Sequence, residues 1–536
     1  MKRLPLGIQS FRKIIEGDYV YVDKTRYVYE LINGASYNFL SRPRRFGKSL
    51  LLDTIEEVFN GDKRLFEGLW IHSSDYDFTK HPVIRLDMSS VSSENPDTLK
   101  TSIASALKRR IQKENLDISD DIPSDLFIYL IEGLYNKYSQ KVVILIDEYD
   151  KPILDHIANV EIAEANRQVI KNFCGILKSM DPCLRFSLIT GVSKFTKTSI
   201  FSELNNLFDI TFSYKFPGIC GIEINDLNEY FNSHIEHLST VDGLQNTGSI
   251  YDQILNWYDG YSWDGKTRVI NPFSLLNFLE HRRFGSYWYA SGTPSFLIRM
   301  LKEAPASYLS LKNLKIIERS LENPDLRKME VEPLLFQAGY LTVKETLHTS
   351  GAPVYALDIP NMEVREAFNM QIVAAFTENG DIAVEQTQMQ LLDALRSSDM
   401  QKTLGLLRRL FASIPYNLHI DREAYYHSIF FAIMTVLGFD IDMEVSVSGG
   451  KVDAVLELPE VVYVIEFKYA DCPRDAGAEE KAKLFKLSLD EAMAQISNKK
   501  YSAKYIGTGK PVHHVAFAFL GGGDIEMRAE LLKPLL

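Results

Sequence analysis

Over roughly the first 220 residues, short apolar runs alternate with longer stretches whose apolar positions recur every three or four residues. Tyr37–Leu40, Val83–Met88, Val142–Ile146 and Arg185–Ile189 read as strands. Most are nearly continuous apolar runs, as expected where both faces of a sheet are covered. Between them, Leu99–Lys113, Asp125–Lys137 and Glu161–Ser179 read as helices. This alternation predicts a parallel α/β sheet. From about residue 225 helical patterns dominate, broken by a polar loop near Ser239–Ser249 and by the aromatic segment Trp257–Trp263. Leu334–Val343 and Val354–Leu357 read as a small hairpin, of the kind a winged-helix module carries. From about residue 420 the order is helix (Glu423–Leu437), three strands (Asp442–Val447, Lys451–Leu456, Val461–Lys468), helix (Ala478–Asn498) and strand (Val512–Phe519). The pattern predicts an α/β multidomain protein: a parallel-sheet domain over 1–224, a mainly helical middle over 225–410 and a compact α/β module over 411–536.

Length agrees, since 536 residues exceed one ordinary core. With 46% hydrophobic and 24% charged residues, the balance is that of a soluble globular protein. Lys and Arg total 59 against 71 Asp and Glu, a net charge of −12. A uniformly basic nucleic-acid coat is excluded, whereas a local basic groove is not. Cys174, Cys183, Cys220 and Cys472 form no C-x-x-C pair, so a reducing, cytoplasmic setting is expected. Met1–Gly7 has no apolar core behind its charges, so no signal peptide is expected. No apolar run approaches the roughly 20 residues that span a bilayer, and no membrane partner is expected.

Candidate chemistry begins after the first strand. A phosphate cradle needs converging backbone N–H groups, a helix N-terminus and a Lys. Gly47-Lys48-Ser49 supplies them before the apolar run Leu50–Leu52. Gly47 lets the backbone approach, Lys48 is the candidate for the β- and γ-phosphates, and Ser49 the candidate ligand of Mg²⁺. The first glycine of the usual G-x-x-x-x-G-K-[ST] pattern is replaced by Arg42. Pro43, Arg44, Arg45 and Phe46 make the loop stiffer and more cationic, and Arg44 or Arg45 is expected to face phosphates or a neighbouring subunit. Downstream, Val142–Ile146 ends in Asp147-Glu148. An acid at a strand end can hold a metal, and the next can activate water; Asp147 is assigned to the metal and Glu148 to the water. Asp150 and Lys151 read as a helix cap or surface pair. Thr190, at the tip of the Arg185–Ile189 strand, is the candidate γ-phosphate sensor, with Ser193 second; Lys194 is a candidate for offsetting transition-state charge.

Near the C-terminus, Asp453 lies on one strand and Glu466 and Lys468 on the next. Side chains alternate along a strand, so Glu466 and Lys468 share a face. Two carboxylates and a lysine there can hold a divalent ion, which polarises a phosphodiester and acidifies a bound water. Hard oxygen ligands favour Mg²⁺, with Mn²⁺ as the second candidate. Val461–Ile465 reads as a buried strand that Glu466 ends. Lys481, Lys483, Lys486, Lys499, Lys500 and Lys504 are candidates for tracking a nucleic-acid backbone or, equally, a solvated helix face.

Val20–Thr25, Phe39–Leu51, Leu145–Pro152 and Thr190–Phe195 together resemble a bacterial AAA-ATPase-like family. The likeness spans about residues 3–220 and continues through Asn271–Leu276 and Ser291–Leu297. In that family the Arg-Pro-Arg-Arg-Phe-Gly-Lys-Ser form is itself the pattern. The resemblance implies ATP bound at Arg44–Leu50, Asp147 and Thr190; Asp23, Lys24 and Thr25 shape a base pocket or cap a helix. The segment 415–520, with Tyr425–Ser428, Glu444, Gly450–Asp453, Glu466–Lys468, Gln495-Ile496 and Lys499–Tyr501, is similar to the PD-(D/E)XK nuclease superfamily. That likeness implies Asp453 and Glu466 as metal ligands, Lys468 as charge stabiliser and Gln495 and Tyr501 as orienters of the phosphate backbone. Glu423 or Glu444 would complete the metal shell, and His427 reads as a packing residue. The expected function is an ATP-binding, ATP-hydrolysing protein, with a homo-oligomer as the candidate assembly, that controls a metal-dependent nuclease acting on nucleic acid. The alternative is a nucleotide-dependent switch or scaffold that binds nucleic acid or protein without cutting.

Overall fold

The computed structural model describes residues 1–193, 206–241, 250–288, 314–321, 331–347, 353–368, 381–412, 426, 430, 434, 441–447, 450–473, 476–498, 501–505, 509–521 and 524–532. Their contacts divide the chain into two compact units, one of residues 1–297 and 311–364, the other built from 365–536. The segment expected as a separate middle, 225–410, is therefore shared between the two.

The first unit is centred on a parallel sheet of β1 (Tyr37–Ser41), β2 (Val83–Asp87), β3 (Val142–Asp147), β4 (Leu184–Gly191) and β5 (Phe208–Asp209), in the order β2-β3-β4-β1-β5. Four strands match the apolar runs. The fifth is two residues long and left no signal. The helices Pro96–Lys113, Pro123–Tyr138 and Val160–Ser179 start one to three residues before the apolar repeat. In the first, Asn95 accepts from the N–H groups of Asp97 and Thr98 and Pro96 opens the turn, so polar residues extend the helix beyond its apolar face. Because β1 lies beside β4, the turn after β1 opens next to the tip of β4.

Helices Ile224–Val241, Ile250–Tyr258 and Pro272–His281 share a second core with Val20, around Phe231, Ile254, Leu275 and Phe278. The short strands β6 (Ile222–Glu223) and β7 (Val269–Ile270) pair beside it. A separate antiparallel sheet runs β8 (Leu314–Ile317), β10 (Val354–Asp358), β9 (Thr342–Leu347). The expected hairpin is thus present, but Leu334–Ala338 belong to a helix, Val331–Ala338. Pro333 fits its first turn, and Gly339 at φ +93° ends it.

The second unit holds a sheet ordered β11 (Ile441–Val447), β12 (Gly450–Glu457), β13 (Val462–Ala470), β14 (Val512–Leu520), β15 (Ile525–Leu532). Only β13 and β14 are parallel, and the helix Ala478–Asn498 connects them. β15 was not expected. The sheet is covered on both faces. Val462 and Val464 pack with Leu489, Ala492, Met493 and Ile496 of that helix. Tyr463, Ile465 and Phe467 pack on the opposite face with Leu391, Leu406, Phe411, Tyr426, Phe430 and Met434.

Candidate nucleotide and metal sites

β1 runs into Arg42–Gly47, and the helix Lys48–Asn60 starts directly behind. Arg45 and Gly47 take left-handed backbone conformations, at φ +69° and +91°. Left-handed residues alternating with others turn successive N–H groups inward, the geometry of an anion-binding nest. Leu51, Leu52, Ile55, Val58 and Phe59 bury one face of the helix, and Gly61 at φ +84° stops it. Arg85 on β2 pairs with Asp53 at 2.7 Å and Glu56 at 3.2 Å, and donates to the Ser49 carbonyl at 3.2 Å, fastening the helix to the sheet.

The turn faces a cavity of about 450 Å³. Arg44 to Leu51 and Glu148 form its polar wall, and Ile8, Val20, Tyr21, Val22, Phe273 and Leu276 are among its apolar lining. The polar part suits a polyphosphate and the apolar part a base. Lys24 also lines it, held by Asp226 at 2.6 Å and Glu223 at 3.5 Å. Thr25 is buried; its hydroxyl donates to Asp23 at 2.6 Å and accepts the Ile71 N–H at 3.1 Å.

Arg42, in place of the first glycine, is 1% exposed. Its guanidinium donates to the carbonyls of Ser41 and Thr211 at 2.9 Å and lies 3.8 Å over the Trp263 ring. Burial lowers its pKa to about 10. Phe46 packs edge-on against Tyr261 and Trp263. The aromatic segment noted in the sequence is thus the seat of the loop; nothing local to Arg42 announces that. Lys48 is buried and donates to the carbonyls of Arg42 at 2.8 Å and Pro43 at 3.0 Å. Burial lowers its pKa, against the pull of Asp147, Asp150 and Glu148.

Asp147 ends β3, 3% exposed, and accepts the Thr190 hydroxyl at 2.6 Å. Asp147 and Thr190 stand behind the cavity lining, whereas Glu148, at φ +51°, reaches it. Burial raises the Glu148 pKa; Lys48 opposes this, and Asp147, Asp150 and Asp87 reinforce it. Asp150 neither caps a helix through its side chain nor sits at the surface. It is buried and accepts the N–H groups of Val192 and Ser193 and the Ser193 hydroxyl, at 3.0, 2.6 and 2.6 Å. Lys151 pairs with Asp155 at 2.8 Å. Lys194 lies outside the described residues.

In the second unit, β12 and β13 bring Asp453, Glu466 and Lys468 together. Asp453 accepts the Phe467 N–H at 2.9 Å. The Lys468 ammonium lies 3.7 Å from Glu466. Gln495, on the covering helix, bridges them: its amide donates to Glu466, and its carbonyl accepts from Lys468 at 3.0 Å. Glu466 is 1% exposed and does not end its strand. β13 continues to Ala470 because its register with β14 continues, Ala470 opposite Leu520. Tyr501 is buried between that helix and the sheet rather than poised at a groove. Lys481 pairs with Asp524 at 2.8 Å. Glu423, Tyr425, His427, Ser428, Lys499 and Lys500 lie outside the described residues, as do the side chains of Glu444, Lys451 and Lys504.

The predicted AAA-ATPase family matches residues 5–201, and the PD-(D/E)XK nuclease superfamily matches residues 421–527. A protein of Azotobacter chroococcum mcd 1, named "Uncharacterized protein in vnfD 5'region", is 35% identical over 525 residues, 97% of this chain and 96% of that one. Among solved structures, the ORC2 protein of Aeropyrum pernix is 12% identical, with a TM-score of 0.27, covering 68% of this chain and 98% of its own. Drosophila ORC bound to AT-rich DNA and Cdc6 is 11% identical, with a TM-score of 0.21, covering 67% and 91%. Likenesses that weak add nothing to the fold seen directly. The chain belongs to the predicted AAA-ATPase family and carries a PD-(D/E)XK nuclease superfamily domain behind the ATPase-like one.

Proposed function

We propose that the N-terminal unit binds and hydrolyses ATP, and that this cycle controls phosphodiester cleavage of nucleic acid at Asp453, Glu466 and Lys468. The observation that carries the reading is the cavity itself. An anion nest with Lys48, Ser49 and Glu148 lines one cavity together with apolar residues suited to a base. Glu148, its pKa raised by burial, suits acceptance of a proton from attacking water. Thr190 orients Asp147 through their hydrogen bond. The Ser49 hydroxyl and Asp147 carboxylate are hard oxygen donors that fit Mg²⁺, which would neutralise phosphate charge there. Asp453 and Glu466 form a second all-oxygen donor pair fitting Mg²⁺ or Mn²⁺, which would polarise the phosphodiester. Lys468 then offsets charge on the phosphate, held in place by Gln495. The four cysteines are free, in keeping with a reducing cytoplasm. Among the described residues no helix is long and apolar enough to cross a membrane.

One observation favours the second reading, a switch or scaffold that binds without cutting. Glu466 and Lys468 are already tied together through Gln495, an arrangement that holds without a metal. Two assays separate the readings. ATP hydrolysis is measured for wild type, Lys48→Ala and Glu148→Gln; both variants are expected to lose turnover. Mg²⁺- and Mn²⁺-dependent cleavage of single- and double-stranded DNA and RNA is measured with and without ATP. Cleavage that survives Asp453→Ala and Lys468→Ala removes the nuclease assignment. Failure of wild type to bind labelled ATP removes the reading as a whole.

A further inference from the structure

The charged residues lining the nucleotide cavity are Lys24, Arg44, Arg45, Lys48, Lys151 and Glu148. Lys24 is neutralised by Asp226 and Glu223, and Lys151 by Asp155. Lys48 rests on two carbonyls of its own loop. Among the described residues no carboxylate pairs with Arg44 or Arg45, so these are the cations available to a polyphosphate.

Arg45 differs from Arg44 in its backbone. At φ +69° a glycine would be at ease, whereas any other L-residue pays roughly 1–2 kcal/mol. Glu148, another lining residue, carries the same kind of strain at φ +51°. Strained non-glycine residues of this kind concentrate where a side chain is needed for function. The Arg45 side chain is exposed, and its guanidinium lies 4.8 Å over the ring of Phe273, another lining residue. Phe273 is held firmly, since Asn271 caps its helix by accepting the Phe273 N–H at 2.9 Å. Arg45 therefore lines the cavity with its guanidinium against an aromatic ring rather than against a carboxylate.

We infer that Arg45 is a catalytic residue acting within its own chain. It moves from Phe273 onto the γ-phosphate and offsets the charge that develops there, so hydrolysis needs no arginine from a second subunit. In the step it assists, the water oxygen bonds to the γ-phosphorus while the bond to the β–γ bridging oxygen breaks. ADP leaves with that electron pair, and the water proton passes to Glu148. The inference rests on the ATPase reading proposed above.

The test uses the full chain and Arg45→Gly, which suits the left-handed backbone and removes only the side chain. Its melting temperature is expected to stay level or rise, while kcat falls on the order of 1000-fold, the usual worth of such an arginine. Binding of a fluorescent ATP analogue is expected to change only a few-fold. Arg45→Lys should recover part of the rate. Wild-type kcat per chain should not vary with protein concentration, and mixing Arg45→Gly with Lys48→Ala should restore nothing. Turnover by Arg45→Gly within about threefold of wild type overturns the inference and leaves the ATPase reading standing. So does recovery of activity on mixing, which places the arginine in trans. A wild type that hydrolyses no ATP removes both readings together.

Discussion

At the scale of single residues, two buried charges in the first unit do structural rather than chemical work. Arg42 occupies a glycine position of the usual phosphate-binding pattern, yet its side chain points away from the cavity into carbonyls of Ser41 and Thr211 and onto Trp263. Restoring the common pattern with Arg42→Gly would take the guanidinium donor from those carbonyls and the cation from the Trp263 ring. The expected loss is about 3 kcal/mol, read by denaturant unfolding; an unchanged or higher stability would show that the anchor is dispensable. Glu363 is the second. It is fully buried and accepts the Ser274 hydroxyl at 2.9 Å and the Trp288 N–H at 2.8 Å, while Trp288 donates to the Arg44 carbonyl at 3.3 Å. Burial raises its pKa from 4.5 to about 7. Below about pH 4.5 the carboxyl is protonated both folded and unfolded, and it carries no penalty. As pH climbs to 7 the unfolded chain ionises first, so stability falls, by up to about 3 kcal/mol, and then levels off. Glu363→Gln keeps an acceptor for Ser274 and Trp288 and removes the ionisation. Its melting temperature should gain on wild type between pH 5 and 7 and stay ahead by a constant margin above. A gap that does not vary with pH would count against this.

At the scale of elements, the tip of β4 is locked to the turn after β3. Tyr149 donates its N–H to the Thr190 carbonyl at 3.0 Å, and Asp150 gathers Val192 and Ser193. Gly191 lies between, and a Cβ there would come within 2.6 Å of the Tyr149 ring and 2.7 Å of the Asp150 carboxylate. Tyr149 is buried and meets Phe39 edge-on at 5.6 Å, so it has no room to retreat. Gly191→Ala should therefore cost about 2 kcal/mol and displace Thr190 from Asp147, lowering ATP turnover more than ATP binding. Calorimetry with turnover and binding assays would check both, and normal turnover at normal stability would show that the lock gives freely. The strands behind this site were legible because each is an apolar run that must be buried. The pairs Asp147-Glu148 and Gly47-Lys48 were legible because they flank such runs. The seat of Arg42, the lock at Asp150 and the bridge by Gln495 were not, since each joins residues far apart in sequence. Glu466 misled for a related reason. The unbroken apolar run stops at Ile465, but the strand is carried onward by its pairing with β14, which no local pattern reveals.

At the scale of the whole molecule, the apolar pattern suggested a boundary near residue 410, and the core of the second unit lies across it. The helices Asp381–Arg396 and Met400–Ala412 place Leu391, Leu395, Leu406, Leu407, Leu410 and Phe411 in one cluster with Tyr463, Phe467, Phe517 and Phe519. All six are at most 5% exposed. At roughly 1.5–3 kcal/mol for each such side chain, these helices contribute on the order of 10 kcal/mol, comparable to the whole stability of a typical domain. Without them the sheet face that carries Tyr463, Ile465 and Phe467 would keep Tyr426, Phe430 and Met434 but lose most of its aliphatic cover. Gln495, Glu466 and Lys468 lie on the opposite face, yet the strand that positions them is held from both sides. A fragment of residues 411–536 is therefore expected to lose cooperative unfolding and to bind a hydrophobic dye. A fragment of residues 365–536 should unfold in a single transition and keep the Asp453, Glu466 and Lys468 constellation. Circular dichroism melts of the two fragments decide the matter, and a cooperative melt of the shorter one would move the boundary back to where the apolar pattern alone had put it.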